Sequence, residues 1–508
     1  MLKTIINSVK AKISHTVISH IFLIFTTLWL RLMYLNWSDY QGDEIKAMYR
    51  PEVGQSMWNF LMEQRKGPLQ FVITFILKYI TPDYYNTLVM RLPFAIAGIL
   101  AIFVFYKVIK MHFGTRVALY ASLFLSLNGL MVAFSRMVQY QSFTIFLFML
   151  ALYYFSLALY NDKWRIKGWY IGMFYWGLSA LAHYDAIFIA PFVLYILWQW
   201  FGKYKDISNK TKLIHILASS LVCALVVAAF YIPFVLSLTD SQFDYWSGRL
   251  TNNSVKISSS IYLFRLYNPI FLMYLYIGLA TLGLFKLKKT WPLIIWFVFP
   301  FLFMEVITDV PGTHIYTYLI PVAIMMGFGL LVVEKLIIDL FGKKLGHKMF
   351  YLGISVYFLF SFTLTHTLFI DHVREYPWGN KQFLFWTIHK PEVRYHLSVF
   401  GFPYNRHWDE IQAYIRENGT PGYTYYGTNE KKSIPRFYME DYDKEGSEAE
   451  YYIYVYKPQS FNESILQDKP YDWIRNHKRD PVLTFTDYGK DVVKLYKMPL
   501  GGIEALDI

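Results

Sequence analysis

The chain has 508 residues, 55% apolar and only 17% charged, and its apolar residues gather in long blocks. That excludes an ordinary soluble enzyme, which carries nearer a quarter charged, along with disordered and collagen-like classes. The net charge of +13 is uneven, since residues 371–508 hold 18 Lys/Arg against 21 Asp/Glu and leave +16 in short loops among the apolar blocks, an arrangement that orients membrane spans and offers no face to nucleic acid.

A spanning helix needs about 20 mainly apolar residues. On that basis eleven spans are expected, at 15–35, 88–107, 117–134, 142–160, 168–183, 186–202, 213–236, 267–285, 291–307, 314–337 and 349–369. The first follows Lys3, Lys10 and Lys12 and has no small-residue cleavage site before Trp37-Ser38-Asp39, so it reads as an uncleaved signal anchor. The run 67–81, after Lys66-Gly67-Pro68, is short and is expected to lie along the interface, within an external loop covering 36–87. The single cysteine, Cys223, sits in an apolar block and leaves no intrachain disulfide.

Loop charge fixes the expected orientation. With the N-terminus cytoplasmic, one set of loops carries Lys107, Lys110 and Arg116, then Lys163, Arg165 and Lys167, and so on to Lys343, Lys344 and Lys348. The opposite set is poorer in bases for its length and richer in acids, Tyr and Trp. Residues 1–370 then form an α-helical polytopic membrane domain, and 371–508 a soluble extracytoplasmic α/β domain with a core of its own. In that tail, Pro403–Asn418 suits an amphipathic helix closed by Gly419. Tyr451–Tyr456, Val482–Phe485 and Val492–Tyr496 suit strands, the last two joined at Tyr488-Gly489.

The unusual polar residues fall on the external side. They include Asp43 and Glu44 just past the first span, Lys66 before Gly67-Pro68, and Arg136 in the next turn. His183 and Asp185 follow the fifth span, and His314 and Tyr316 follow Pro311-Gly312. A carboxylate at the mouth of a span can act as base on an acceptor hydroxyl. Bases at the same depth can hold a phosphate as it leaves. Outside the cytoplasm no nucleotide sugar is at hand, and a polyprenyl phosphate dissolved in the bilayer supplies a donor instead. The expected reaction is sugar transfer from such a lipid, with Asp43 as base.

Gly42-Asp43-Glu44 resembles the Asp-Glu motif of the GT-C glycosyltransferases, in the branch of protein O-mannosyltransferases and lipid A aminoarabinose transferases. Lys66-Gly67-Pro68-Leu69 is similar to that branch's Lys-Pro-Pro-Leu element, with Gly67 at the first Pro position. Arg91-Leu92-Pro93, Ser135-Arg136, Gly177–Leu181 and His314–Pro321 extend the resemblance over roughly residues 20–340. It implies a GT-C fold and direct, inverting transfer without a covalent intermediate. Gln139 and Gln141 stand where many relatives carry an acid, and His183-Tyr184-Asp185 where many carry a Lys.

Each assignment has a structural counterpart. Asp43 and Glu44 are the catalytic candidates, though Glu44 can equally serve by hydrogen-bonding backbone near Asp43. Lys66, Arg136, His314 and Tyr316 are the donor-phosphate candidates; Lys66 and Arg136 also read as boundary anchors. His183 and Asp185 are candidate ligands for a divalent cation, the one cofactor considered, or a helix cap. The partners expected are the bilayer, a polyprenyl-phosphate-linked sugar and an acceptor protein, lipid or glycan. A transporter or flippase of lipid-linked saccharides is the main alternative, but it calls for ionisable groups near the midplane and a repeated architecture, and neither is evident.

Overall fold

The structure is a computed structural model that describes residues 15–64, 66–251, 264–308, 312–373, 376–391, 399–419, 426–439, 449–459 and 469–499. Two short helices, Gly42–Ile45 and Met57–Met62, follow the first apolar helix, His15–Leu32. Leu69–Leu77 comes next, nine residues and therefore about 14 Å long, too short to cross a hydrocarbon core of about 30 Å. The long helices then run from Thr87–Phe113 to Lys343–Phe369.

Among the described residues seven helices are long and apolar enough to span a membrane, and an eighth arises if the bent pair Thr115–Leu127 and Gly129–Ser135 counts as one. Helical segments occupy all eleven expected ranges, and fewer of them meet the length and hydropathy expected of a span. His15–Leu32 and Lys167–Ala182, with 18 and 16 residues, fall short of about 20. Ile270–Ile307 is one apolar helical run of 38 residues where two spans were expected. There Lys286 closes a 3₁₀ turn, and Lys288 and Lys289 begin the next helix, so these bases mark no open loop.

Asn209–Leu236 shows the membrane character most directly. Leu213, Leu217, Leu221 and Leu225, four residues apart, are all exposed, an apolar stripe that a water-facing helix does not sustain. The bent pair breaks at Asn128, whose side chain accepts the Leu130 amide at 3.1 Å, with a 67° change of direction. Gly129 follows because the Tyr267 carbonyl oxygen lies 2.0 Å from where a Cβ would sit. Beyond the break, Arg136 reaches the end of the first helix and Ser135 packs on Gly98.

Beyond Phe369 the tail holds a hairpin of β1 (Lys381–Phe383) and β2 (Trp386–Ile388) and a four-stranded sheet ordered β3-β4-β6-β5. The sheet comprises β3 (Tyr426–Thr428), β4 (Tyr451–Val455), β5 (Leu483–Asp487) and β6 (Lys490–Lys497). β3 pairs with β4 in parallel, and the other pairings are antiparallel. The expected strands are present, with Tyr488 and Gly489 both at positive φ in the β5–β6 turn. The expected helix begins late, at Trp408, because Arg406 is buried donating to the Tyr456 and Lys457 carbonyls and His407 adopts φ +57°.

The tail's core is not wholly its own. Trp408, Ile411, Ile415, Phe437, Tyr438 and Ile453 pack in one cluster with Tyr40, Ile45, Met48, Met90 and Phe94. The loop after the first helix is thus the floor on which the tail's helix and sheet sit.

Candidate active site

Gln41 begins the short helix Gly42–Ile45 as its N-cap. Its side chain accepts the Asp43 amide at 2.6 Å, and Glu44 reaches back to the Gln41 amide at 2.8 Å, a reciprocal capping box. The box fixes two adjacent acids in opposite senses. Asp43 points outward, its side chain 32% exposed and 3.8 Å from the Lys46 ammonium. Glu44 points inward into a bidentate pair with Arg91, Nε and Nη2 each at 2.9 Å, and also accepts the Val138 amide at 3.0 Å. Arg91 spends its other donors on the carbonyls of Leu35, Ser38 and Asp39. With both oxygens of Glu44 filled, it holds the loop in shape.

From Asp43 a continuous set of contacts leads into the bundle. Gln139 donates to the Asp43 carbonyl at 2.5 Å and accepts the Lys66 ammonium at 3.0 Å. Lys66 lies over the Tyr140 ring, 5.3 Å from its centroid, and Tyr140 stacks on His183 at 4.0 Å. Behind them Asp185 is fully buried; its Oδ2 lies 2.5 Å from His314 Nδ1 and accepts the Tyr316 hydroxyl at 2.6 Å. His183 Nδ1 stands 3.2 Å from Asp185 Oδ1 but already accepts the Asp185 amide, also at 3.2 Å. The buried Oδ1 is therefore left without a hydrogen-bond partner.

That orphaned oxygen bears on a metal. His183, Asp185 and His314 each offer a ligand atom, all within 4.8 Å of one another. Tetrahedral bonds of about 2.0–2.1 Å place neighbouring ligand atoms roughly 3.3 Å apart. The 3.2 Å between His183 Nδ1 and Asp185 Oδ1 is compatible with that spacing once the Asp185 amide gives up its bond to Nδ1. The donor set suits a divalent cation, with His314 joining the two ligands expected from sequence.

Arg136 departs from expectation. It is buried and donates to the carbonyls of Leu30, Met33 and Tyr34 at 3.2, 2.9 and 3.2 Å. It closes the C-terminal end of the first helix through these three carbonyls. Sequence reasoning missed Gln139 and Tyr140 as bridging residues, and missed the tail. Gln459 accepts the Gly42 amide at 2.9 Å, Arg406 donates its amide to Asp39 at 2.5 Å, and Tyr438 accepts the Tyr40 amide at 3.1 Å. Burial lifts the Asp39 carboxyl to about 7, against that Arg406 amide.

Residues 66–233 match the family model described as dolichyl-phosphate-mannose-protein mannosyltransferase. No curated protein matches the sequence. In fold the chain is similar to ArnT from Cupriavidus metallidurans in the apo state, with TM-score 0.51, 12% identity, and coverage of 96% of this chain and 98% of that one. The same protein bound to undecaprenyl phosphate gives TM-score 0.48 and 13% identity, covering 94% and 97%. AglB, the oligosaccharyltransferase of Archaeoglobus fulgidus, in complex with an inhibitory peptide and a dolichol-phosphate, gives 0.49 and 12%, covering 96% and 77%. One segment thus matches a mannosyltransferase family model, and along its length the chain shares the fold of ArnT. Over residues 66–233 it is mannosyltransferase-like.

Proposed function

We propose that the protein transfers a sugar from a polyprenyl-phosphate-linked donor to an acceptor hydroxyl at the extracytoplasmic face of the membrane. The observation that carries this reading is the path from the half-open Asp43 through Gln139 and Lys66 to the buried His183–Asp185–His314–Tyr316 group. Asp43 takes the acceptor proton as its oxygen attacks the anomeric carbon. The bond from that carbon to the phosphate oxygen breaks with inversion, and Lys66 receives the departing anion. His314 and Tyr316 belong to the phosphate side through Asp185. A divalent cation, where bound, adds positive charge at His183, Asp185 and His314. The side of the membrane follows from the bases concentrated in the opposite loops. The domain division near residue 370 is part of the same reading, with the tail as a lid over the first loop.

The family model that residues 66–233 match is that of a dolichyl-phosphate-mannose-dependent transferase, which supports a donor of that class. The buried ionisable group stands at helix ends, where Tyr184 and Tyr316 begin their segments, which supports transfer at an interface over carriage through a midplane site.

The test is turnover of purified protein with a panel of polyprenyl-phosphate sugars and hydroxyl acceptors, with and without chelator. Asp43→Asn is expected to lose activity while still binding donor. Donor translocated across vesicles without acceptor, with no transfer product, would establish the carrier instead.

A further inference from the structure

The β1–β2 hairpin lies against the side of the helix bundle. Lys381, at the head of β1, is buried, its ammonium 3.0 Å from the Asp371 carboxylate and donating to the Asp371 carbonyl at 3.1 Å. Asp371 stands two residues past the end of the helix Lys343–Phe369. From that pin the strand runs back along the helix the chain has just left. Phe383 is buried against Phe360, ring centroids 5.4 Å apart. Trp386 of β2 meets Phe360 at 5.7 Å and stacks on Phe271 at 5.4 Å. Phe360 lies nine residues inside the helix end, about 14 Å of helix. Its neighbour Leu359 is exposed, as are Leu352 and Val356 further in, so lipid covers the helix at the level the hairpin reaches.

The tip of the hairpin is apolar and open. Leu384 and Phe385 are 62% and 80% exposed and continue the lipid-facing surface of Leu359 and Phe271. Residues 382–388 hold no ionisable group. Leu384 takes φ +51°, a turn position that glycine or asparagine fills at less cost. The exposed polar side chains beside the tip close on the hairpin itself: Thr387 donates to Gln382 Oε1 at 2.9 Å, and Gln382 Nε2 donates to the Leu384 carbonyl at 3.1 Å. Lipid demands such closure, because it offers polar groups no partner. Charge returns at the base of the hairpin, where His389 and Lys390 are exposed.

We propose that residues 382–388 form a membrane-inserted hairpin, with Leu384, Phe385 and Trp386 among the acyl chains of the leaflet on the tail's side and His389 and Lys390 at headgroup level. Lipid is the occupant because the apolar tip is continuous with the lipid-facing side of two bundle helices. From Lys381 to Leu384 the strand descends about 10 Å, and interfacial segments bury their apolar face by about 5–10 Å. The tail is then held twice, by the core it shares with the first loop and by the bilayer, and is not a soluble domain on a single tether. The proposal is independent of the transferase reading.

The test uses the full-length protein in phosphatidylcholine nanodiscs, with Cys223, its one cysteine, replaced by Ala. Single cysteines are placed by Phe385→Cys, by Leu225→Cys on the lipid-facing stripe, and by Arg475→Cys. Arg475 is exposed on the tail helix Lys469–Asn476, whose Ile474 packs in a cluster apart from the one shared with the first loop. A fluorophore on Phe385→Cys is expected to be quenched by lipid carrying a nitroxide high on its acyl chain, as on Leu225→Cys, while Arg475→Cys keeps its emission. Unlabelled Phe385→Cys is expected to resist a membrane-impermeant maleimide that modifies Arg475→Cys. Phe385→Cys that is unquenched and reacts as fast as Arg475→Cys places the tip in water and overturns the proposal. Phe385→Cys that is protected from the maleimide yet unquenched by the lipid is covered by protein, a second copy included, and overturns it equally.

Discussion

The two ends of the polar path differ in how they treat an acid. Asp43 is one-third exposed and leans on a surface lysine, whereas Asp185 is fully buried with two imidazoles and a phenol around it. An open acid can exchange a proton with an incoming hydroxyl. A sealed one is suited to holding charge in a fixed place. The division of labour is set by burial, since the residue type is the same.

Asp43→Asn is the sharpest way to separate the two ends. Its turnover should fall by about three orders of magnitude or more, with the melting temperature and donor affinity unchanged; a large loss of stability would mean that Asp43 also holds structure. Arg91→Met should instead act on the fold. Removing one partner of a buried bidentate pair costs about 3–5 kcal/mol, so thermal melting in detergent should drop sharply. At the sealed end, Asp185→Asn should abolish protection by added Zn²⁺ against thermal unfolding, while Asp43→Asn retains it. Equal protection in both would remove the cation from His183, Asp185 and His314.

A weaker effect belongs to the tail. His407 is raised above the usual histidine value, first by its hydrogen bond with Glu410 and also by the attraction of Asp487, with burial opposing. A raised folded value means that its stabilisation is present below about pH 6.5 and is lost as pH rises through the raised value. Melting of the tail, followed by tryptophan fluorescence, should therefore fall modestly from pH 6 to 8.5. His407→Asn, which tolerates the positive φ, should flatten that slope. The smallest expected change is in Gly42→Ala, where the added methyl meets the ends of the Lys431 and Ser433 side chains. Stability should move by under about 1 kcal/mol, and turnover should fall more than stability explains.

The apolar blocks were legible because length and hydropathy alone mark a lipid-facing helix, and Asp43, Lys66, His183, Asp185, His314 and Tyr316 stood out as polar residues at the mouths of those blocks. What pairs with what was not legible. Glu44 and Arg91 are 47 residues apart, and no local pattern says that the second acid of an Asp-Glu pair turns inward. The seat of Arg136 against the end of the first helix was not legible either, because a helix end in need of donors leaves no mark in the sequence. Gln459 meets Gly42 across 417 positions, and the parallel β3–β4 pairing that helps to carry the tail has no turn signal joining its strands. At 284–289 clustered lysines suggested an open loop, but the chain keeps its helical winding through a 3₁₀ turn.

The shared cluster of Tyr40 and Tyr438 carries a consequence for biogenesis. The two residues are 398 positions apart, and a ribosome adding about 5–20 residues per second needs roughly 20–80 s to make that stretch. Through that interval the nascent first loop has left the ribosome while the tail that packs on it is still unmade, and a chain truncated before residue 438 should insert its helices yet leave that loop without its buried partners.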